Sequence, residues 1–161
     1  YTTIHEFGHI LMSGSNQMDV DVQLLESHDS PEFEILYEKK LEQCLPRVLV
    51  IDGCAKSDSY INLFYEQFWS DIISEWNEIQ YTEDDDEFFE QSDLFYEKHE
   101  NRFVSVYAST NIDEDIAESW TAFVLLDKPS YDTSIKEQKI LFFYDYTELT
   151  ELREHIRNGL M

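Results

Sequence analysis

Between Asp58 and Ile79, apolar residues recur mostly at steps of three and four: Ile61, Phe64, Tyr65, Phe68, Ile72, Ile73, Trp76 and Ile79. That period places them on one face of a helix, so the stretch is predicted to be one continuous core helix. Phe33, Ile35, Leu36, Leu41 and Leu45 predict a second amphipathic helix, opening behind a first-turn Pro31 and stopping before Pro46. Asn111 is a plausible cap, with Asp113, Glu114 and Asp115 where carboxylates favour the positive end of the helix dipole. The helix it opens should run to about Leu126, stop before Pro129, and turn inward a face of Ile116, Ala117, Trp120, Phe123 and Val124. Ser134–Asp145 and Thr147–Asn158 close the chain as two further helices, with Gly159 as a C-cap.

Tyr1 to Met12 also has helical spacing, ended by Ser13-Gly14-Ser15-Asn16. Residues 13–30 are expected to form a polar loop. Val48-Leu49-Val50-Ile51 is short enough to be either a buried strand or a packed connector. Glu83-Asp84-Asp85-Asp86-Glu87 would repel itself in a compact helix and is expected to form a surface loop. Its carboxylates could attract calcium, but the ligand spacing and turn glycine of an EF-hand are missing, so a solvated acidic face is the simpler expectation. No internal repeat is visible, and the fold class expected is mainly α.

Charge narrows the function. The 161 residues carry 35 acidic against 11 basic side chains, a formal net charge of −24. Such a chain is repelled by phosphate backbones, which argues against nucleic acid as a partner, and by anionic membrane surfaces. Its 42% hydrophobic and 15% aromatic content nevertheless argues for a folded core. No apolar run is long enough to make a transmembrane segment. Cys44 and Cys54 are spaced to close a short loop, although the spacing alone leaves a disulfide and two free thiols equally open. A disulfide would point to an extracytoplasmic setting.

The chemistry begins at His5-Glu6-Phe7-Gly8-His9, an H-E-x-x-H sequence. Residues i and i+4 stack on one face of a helix, so both imidazoles can reach one metal, while Glu6 is rotated off that line and can touch a water beside it. Gly8 is costly in a helix interior, by about 1 kcal/mol against Ala, and close approach by another part of the site is a reason to keep it. Taken alone, two histidines on a solvated helix are also compatible with this string. A catalytic zinc needs a third protein ligand. Glu114 and Glu118 form a second i,i+4 pair, on a helix where the small Ala117 permits close packing. One could bind metal and the other accept the second N–H of a ligand histidine. The spacing leaves their roles interchangeable, and two exposed acids on an amphipathic helix would look the same.

The His5–His9 block, taken with Tyr107-Ala-Ser-Thr-Asn111-Ile-Asp-Glu114-Asp-Ile-Ala117-Glu118-Ser-Trp, resembles the gluzincin zinc metallopeptidases. The likeness is nearest to the branch containing anthrax lethal factor and the bacterial Pro-Pro endopeptidases. It implies Zn²⁺ held by His5, His9 and Glu114, with Glu118 behind a ligand histidine and Tyr107 aimed at the developing oxyanion. Glu6 would take a proton from the attacking water and return it to the leaving amine. In this reading residues 1–161 are the C-terminal part of a zincin-like catalytic domain that starts at the active-site helix. The small N-terminal sheet of those folds lies outside the sequence, and residues 13–100 include an insertion.

The expected activity is hydrolysis of peptide bonds in a peptide or protein substrate, by a secreted or cell-surface endopeptidase. A non-catalytic zincin-derived binding or structural module of a larger surface protein is the alternative, against which the intact Glu6 argues. His28, His99 and His155 lack a second ligand at helical spacing, and Ser13-Gly14-Ser15 lacks a base. Phe88-Phe89 and Phe95-Tyr96 are expected in the core rather than in a substrate pocket.

Overall fold

In the computed structural model, which describes residues 1–82 and 84–160, the chain is mainly helical with one small sheet. Its centre is α7 (Ile112–Leu125), in which every residue from Asp115 to Val124 except Ala122 is buried. A helix covered almost all round is a core helix rather than the one-sided helix predicted. Against it pack α1 (Thr2–Ser13), α4 (Tyr60–Phe68), α8 (Ile135–Phe142) and α9 (Thr147–Leu160). The aromatic rings of Phe64, Phe68, Trp69, Phe95, Phe103, Trp120, Phe123 and Phe143 fill the space between these elements.

Both ends of α7 are fixed. The Asn111 side chain accepts from the Glu114 N–H at 2.9 Å, the cap the sequence predicts. At the other end, Arg153 of α9 donates to the carbonyls of Phe123 and Leu126, and Arg157 donates to that of Val124. Cations are favoured at a helix C-terminus, where carbonyls lack intrahelical partners.

Inside the core, Asp115 and Lys139 are fully buried and paired, with the Trp69 indole N–H donating to Asp115 at 2.7 Å. The Lys139 ammonium also lies 4.3 Å from the centre of the Phe103 ring. Burial pushes the Asp115 carboxyl up and the Lys139 ammonium down, while each charge holds the other toward its ionised form.

Several expectations are corrected. Residues 13–30 are not a continuous loop. They contain β1 (Met18–Val20) and α2 (Val22–Ser27), whose cap is Asp21, accepting from the N–H groups of Gln23 and Leu24. After α3 (Phe33–Cys44), the ambiguous run around Val48 supplies β2 (Leu49–Val50). The strand β3 (Gly53–Ala55) pairs antiparallel with both β1 and β2, giving the order β1-β3-β2. Gly53 has φ +136°, and a Cβ there would lie 2.3 Å from the Asp19 carbonyl, so the turn and the close strand approach both require glycine. Cys44 and Cys54 are joined as a disulfide, tying α3 to β3 beside a small second core of Leu24, Cys44 and Leu49.

The long helix predicted from Asp58 to Ile79 is two helices, α4 and α5 (Ile73–Gln80). The Trp69 and Ser70 N–H groups both turn back onto the Tyr65 carbonyl, while Arg102 takes the Phe68 carbonyl and grips Asp71 through two nitrogens. Apolar spacing survives this break because both helices face the same core. The acidic run is also not a loop. Glu83 lies outside the described residues, but Asp84 caps α6 (Asp85–Lys98) and Asp85, Asp86 and Glu87 form its first turn, where the dipole offsets their repulsion. Phe95 of this helix is in the core, Phe88 and Tyr96 pack against the core, and Phe89 is exposed.

Ser134 and Glu137 cap α8 reciprocally, and the predicted helix to Asp145 ends instead in a 3₁₀ turn over Phe143–Asp145. Gly159 is not a C-cap. It lies inside α9, in open space, because the helix stays docked through Leu149, Leu152 and Ile156 and continues to Leu160. No helix among the described residues is long and apolar enough to cross a membrane.

The buried ion pair gives a stability test. Lys139→Met strands the Asp115 carboxylate and is expected to cost about 3–5 kcal/mol. Asp115→Asn combined with Lys139→Met leaves no unpaired charge and should cost clearly less. Urea denaturation of the two variants measures the difference, and equal losses would contradict the pairing.

Candidate metal centre

On α1, His5, Gly8 and Met12 are buried along one stripe, with His9 beside them at the edge. That stripe lies on α7. A Cβ on Gly8 would come within 2.9 Å of Trp120 Cδ1 and 3.3 Å of Ala117 Cα, so the helices meet where neither has bulk to spare. This close approach brings two histidines and a glutamate, more than a hundred residues apart, onto one point. His5 Nε2 and His9 Nε2 are 3.1 Å apart, and Glu114 Oε2 lies 3.1 Å from the first and 3.4 Å from the second.

Those separations can be compared with what a metal requires. A tetrahedral zinc with bonds of about 2.0–2.1 Å sets its ligand atoms about 3.3 Å apart. The three donors already stand at that spacing. Glu114 Oε2 is buried and makes no hydrogen bond, although buried oxygens are normally partnered. Two imidazole nitrogens and an unpartnered carboxylate oxygen facing one another fit a divalent cation between them. Zinc suits this donor set, and so does iron(II). Among the described residues, no other group of three or more His, Cys, Asp or Glu side chains converges in this way, and the acidic run at Asp84–Glu87 builds no such cluster.

The surrounding groups orient the donors. His5 is 7% exposed, and its buried Nδ1 lies 2.9 Å from Oε1 of Glu118, itself 4% exposed, close enough to pair but out of line for a full hydrogen bond. A proton on Nδ1 leaves the Nε2 lone pair facing His9 and Glu114, the tautomer a metal ligand needs. The two glutamates that spacing left interchangeable are therefore distinguished by position. Glu114 joins the histidine nitrogens, and Glu118 stands behind His5.

Tyr107 is on a 3₁₀ turn, Tyr107–Ser109, with its ring centre 5.8 Å from that of His5. A hydrogen bond to Glu114, partial burial and the negative charges of Glu114, Glu6 and Glu118 raise its pKa, so the hydroxyl keeps its proton at neutral pH. Glu6 is exposed, lies near enough to Tyr107 for its charge to act on that hydroxyl, and makes no part of the donor triangle. Thus His5, His9, Glu114, Glu118, Tyr107 and Glu6 all gather at one end of the α1–α7 contact.

Two hydroxyls at the site were not anticipated from the sequence. Tyr1 donates to Glu118 Oε1, and Ser105 donates to Glu118 Oε2 at 2.6 Å. Tyr1 carried a signal, because it stands four residues before His5 and so falls on the same helix face. Ser105 carried none. His28 pairs with Asp29 on the surface and His99 with Glu75, both away from the cluster.

Comparisons of the chain with protein-family models, with curated proteins and with solved structures find no match. The site's meaning therefore rests on its own geometry.

Two measurements probe this arrangement. Gly8→Ala ordinarily favours a helix by about 1 kcal/mol. Here the methyl would meet buried Trp120, so a net loss of about 1–3 kcal/mol is expected, with weaker metal binding. A thermal melt and a zinc titration report the two effects, and a stabilised variant would contradict the close contact.

Asp113 tests the electrostatics. Burial, with the charges of Asp52 and Glu114, pushes its pKa from 3.8 up to about 7. The folded state therefore holds a proton that the unfolded chain releases, and this contribution is complete below about pH 4 and lost as pH rises to about 7. Asp113→Asn has no such proton, so in metal-free protein its stability relative to wild type should improve across that window and level off above it. A gap that is flat with pH in urea titrations would contradict the assignment.

Proposed function

We propose that this chain is a zinc-dependent, gluzincin-like metallopeptidase that hydrolyses internal peptide bonds. The observation that carries the reading is the triangle of His5 Nε2, His9 Nε2 and Glu114 Oε2 at ligand spacing, with the exposed Glu6 following His5 on the same helix and its charge acting on Tyr107. A metal held only for structure has no need of an adjacent free carboxylate. Zinc, when bound by His5, His9 and Glu114, supplies Lewis acidity that makes water a stronger acid and polarises a carbonyl.

The remaining work falls to side chains of this chain. Glu6 accepts the proton of the attacking water and delivers it to the leaving amine, a role in which a carboxylate contributes on the order of 10²–10⁴-fold. Glu118, 2.9 Å from Nδ1 of His5, favours a proton on that nitrogen by its negative charge. Tyr107, protonated at neutral pH, offers a hydroxyl to the oxyanion that forms on the carbonyl. A peptide or protein is the substrate class, in keeping with a net charge of −24 that disfavours nucleic acid. The Cys44–Cys54 disulfide supports a secreted or cell-surface setting.

The decisive experiment has two stages. Multi-element metal analysis of purified protein is expected to give one zinc per chain, abolished in His5→Ala and His9→Ala. Iron in its place would redirect the reading toward oxidative chemistry. A peptide-library digest is then expected to show cleavage by wild type, and a loss of about 10²-fold or more in Glu6→Gln with metal retained. Zinc-loaded wild type as inert as Glu6→Gln would favour a non-catalytic binding module.

A further inference from the structure

Glu118 is a buried carboxylate with a separate donor on each oxygen. Oε1 receives the Tyr1 hydroxyl and faces His5 Nδ1, while Oε2 receives the Ser105 hydroxyl at 2.6 Å. A serine has one proton to donate, and Ser105 uses it here. Its oxygen also accepts the Ala108 N–H at 3.1 Å, inside the 3₁₀ turn that begins at Tyr107. One small side chain is thus bonded both to the carboxylate that stands 2.9 Å from His5 Nδ1 and to the backbone of the turn that carries Tyr107.

Resting on the metal-site reading above, we infer that Ser105 is a positioning residue that couples the orientation of ligand His5 to the placement of Tyr107. Its two hydrogen bonds give it that reach without contact with the donor triangle itself. Removing the hydroxyl leaves Glu118 Oε2 without its serine donor and the Ala108 N–H without its acceptor. A buried carboxylate then held by a hydrogen bond at Oε1 alone is less firmly oriented, and the His5 ring facing that oxygen is less firmly placed with it. Groups in this relation to a metal ligand change metal affinity by about 10–100-fold when mutated.

Nearby Ser109 supplies the contrast. It is buried in the same turn, but its hydroxyl donates only to the Val106 carbonyl, at 2.7 Å, and does not reach Glu118. An effect transmitted through Glu118 should therefore separate the two serines, whereas general loosening of the turn should not.

The test is titration of the metal-free full chain with Zn²⁺ and, for its visible spectrum, with Co²⁺. Ser105→Ala is expected to weaken zinc binding about tenfold or more and to shift the cobalt absorption bands. Ser105→Thr, which keeps the hydroxyl, should restore both, and Ser109→Ala should leave both at wild-type values. Wild-type affinity and an unchanged spectrum in Ser105→Ala would overturn the inference while the metal centre stood. Equal losses in Ser105→Ala and Ser109→Ala would overturn it in favour of a loop effect. Wild type that binds neither ion would instead overturn the metal reading, and this inference with it. Should Ser105→Ala fail to fold, Ser105→Cys carries the test with a weaker donor in the same shape: partial loss of affinity supports the coupling, and full affinity with an unchanged cobalt spectrum overturns it.

Discussion

The contact of α1 with α7 through Gly8, Ala117 and Trp120 is the constraint on which the rest of the molecule depends. Helices ordinarily pack with axes about 8–10 Å apart, and small residues allow the near end of that range. Here there is no room for even a methyl group at Gly8 without moving Trp120 or the α7 backbone. The same closeness lets His5 and His9 on one helix reach Glu114 and Glu118 on the other. A bulkier pair at this crossing would keep the core but separate the donors.

Such a contact is useful only if α7 cannot slide or rotate, and the surrounding structure resists both. Asn111 fixes the first turn by bonding the backbone of Glu114 itself, and Arg153 and Arg157 hold the last carbonyls. Between these ends, Asp115 is tied to Lys139 and Trp69 in the aromatic core. Burying two charges is a poor source of net stability, since their desolvation cancels much of their attraction. Their directional bonds do, however, specify one rotation of α7. That rotation turns Asp115 into the core and the neighbouring Glu114 toward the histidines.

The site itself works against stability. It draws Glu114 Oε2 up to two imidazole nitrogens with no hydrogen bond in compensation, and it buries Glu118 nearby. An arrangement of this kind is tolerated when rigid packing holds it in place, and a bound cation would remove its electrostatic cost. The hydroxyls of Tyr1 and Ser105 reduce that cost at Glu118, since each donates a proton to one carboxylate oxygen.

What the sequence by itself determined follows from interactions within about four residues. The i,i+4 histidines, the Asn111 cap, the acidic first turn of α7 and the stop before Pro46 are local, and each stands where it was expected. Local reasoning misjudged the acidic run at Asp84–Glu87, because it counted repulsion and omitted the dipole of the helix those residues open. It also joined α4 to α5, since apolar spacing cannot reveal that Arg102, over thirty residues away, takes the Phe68 carbonyl and grips Asp71 at the break. The hydroxyl of Ser105 on Glu118 and the pairing of Lys139 with Asp115 were decided only by tertiary structure, and so was the placing of Glu114 rather than Glu118 beside the histidines, which spacing left open and which only the resemblance to a family had pointed to. Each depends on which faces of distant helices meet, and that is set by the packing of the whole core rather than by any repeat along the chain.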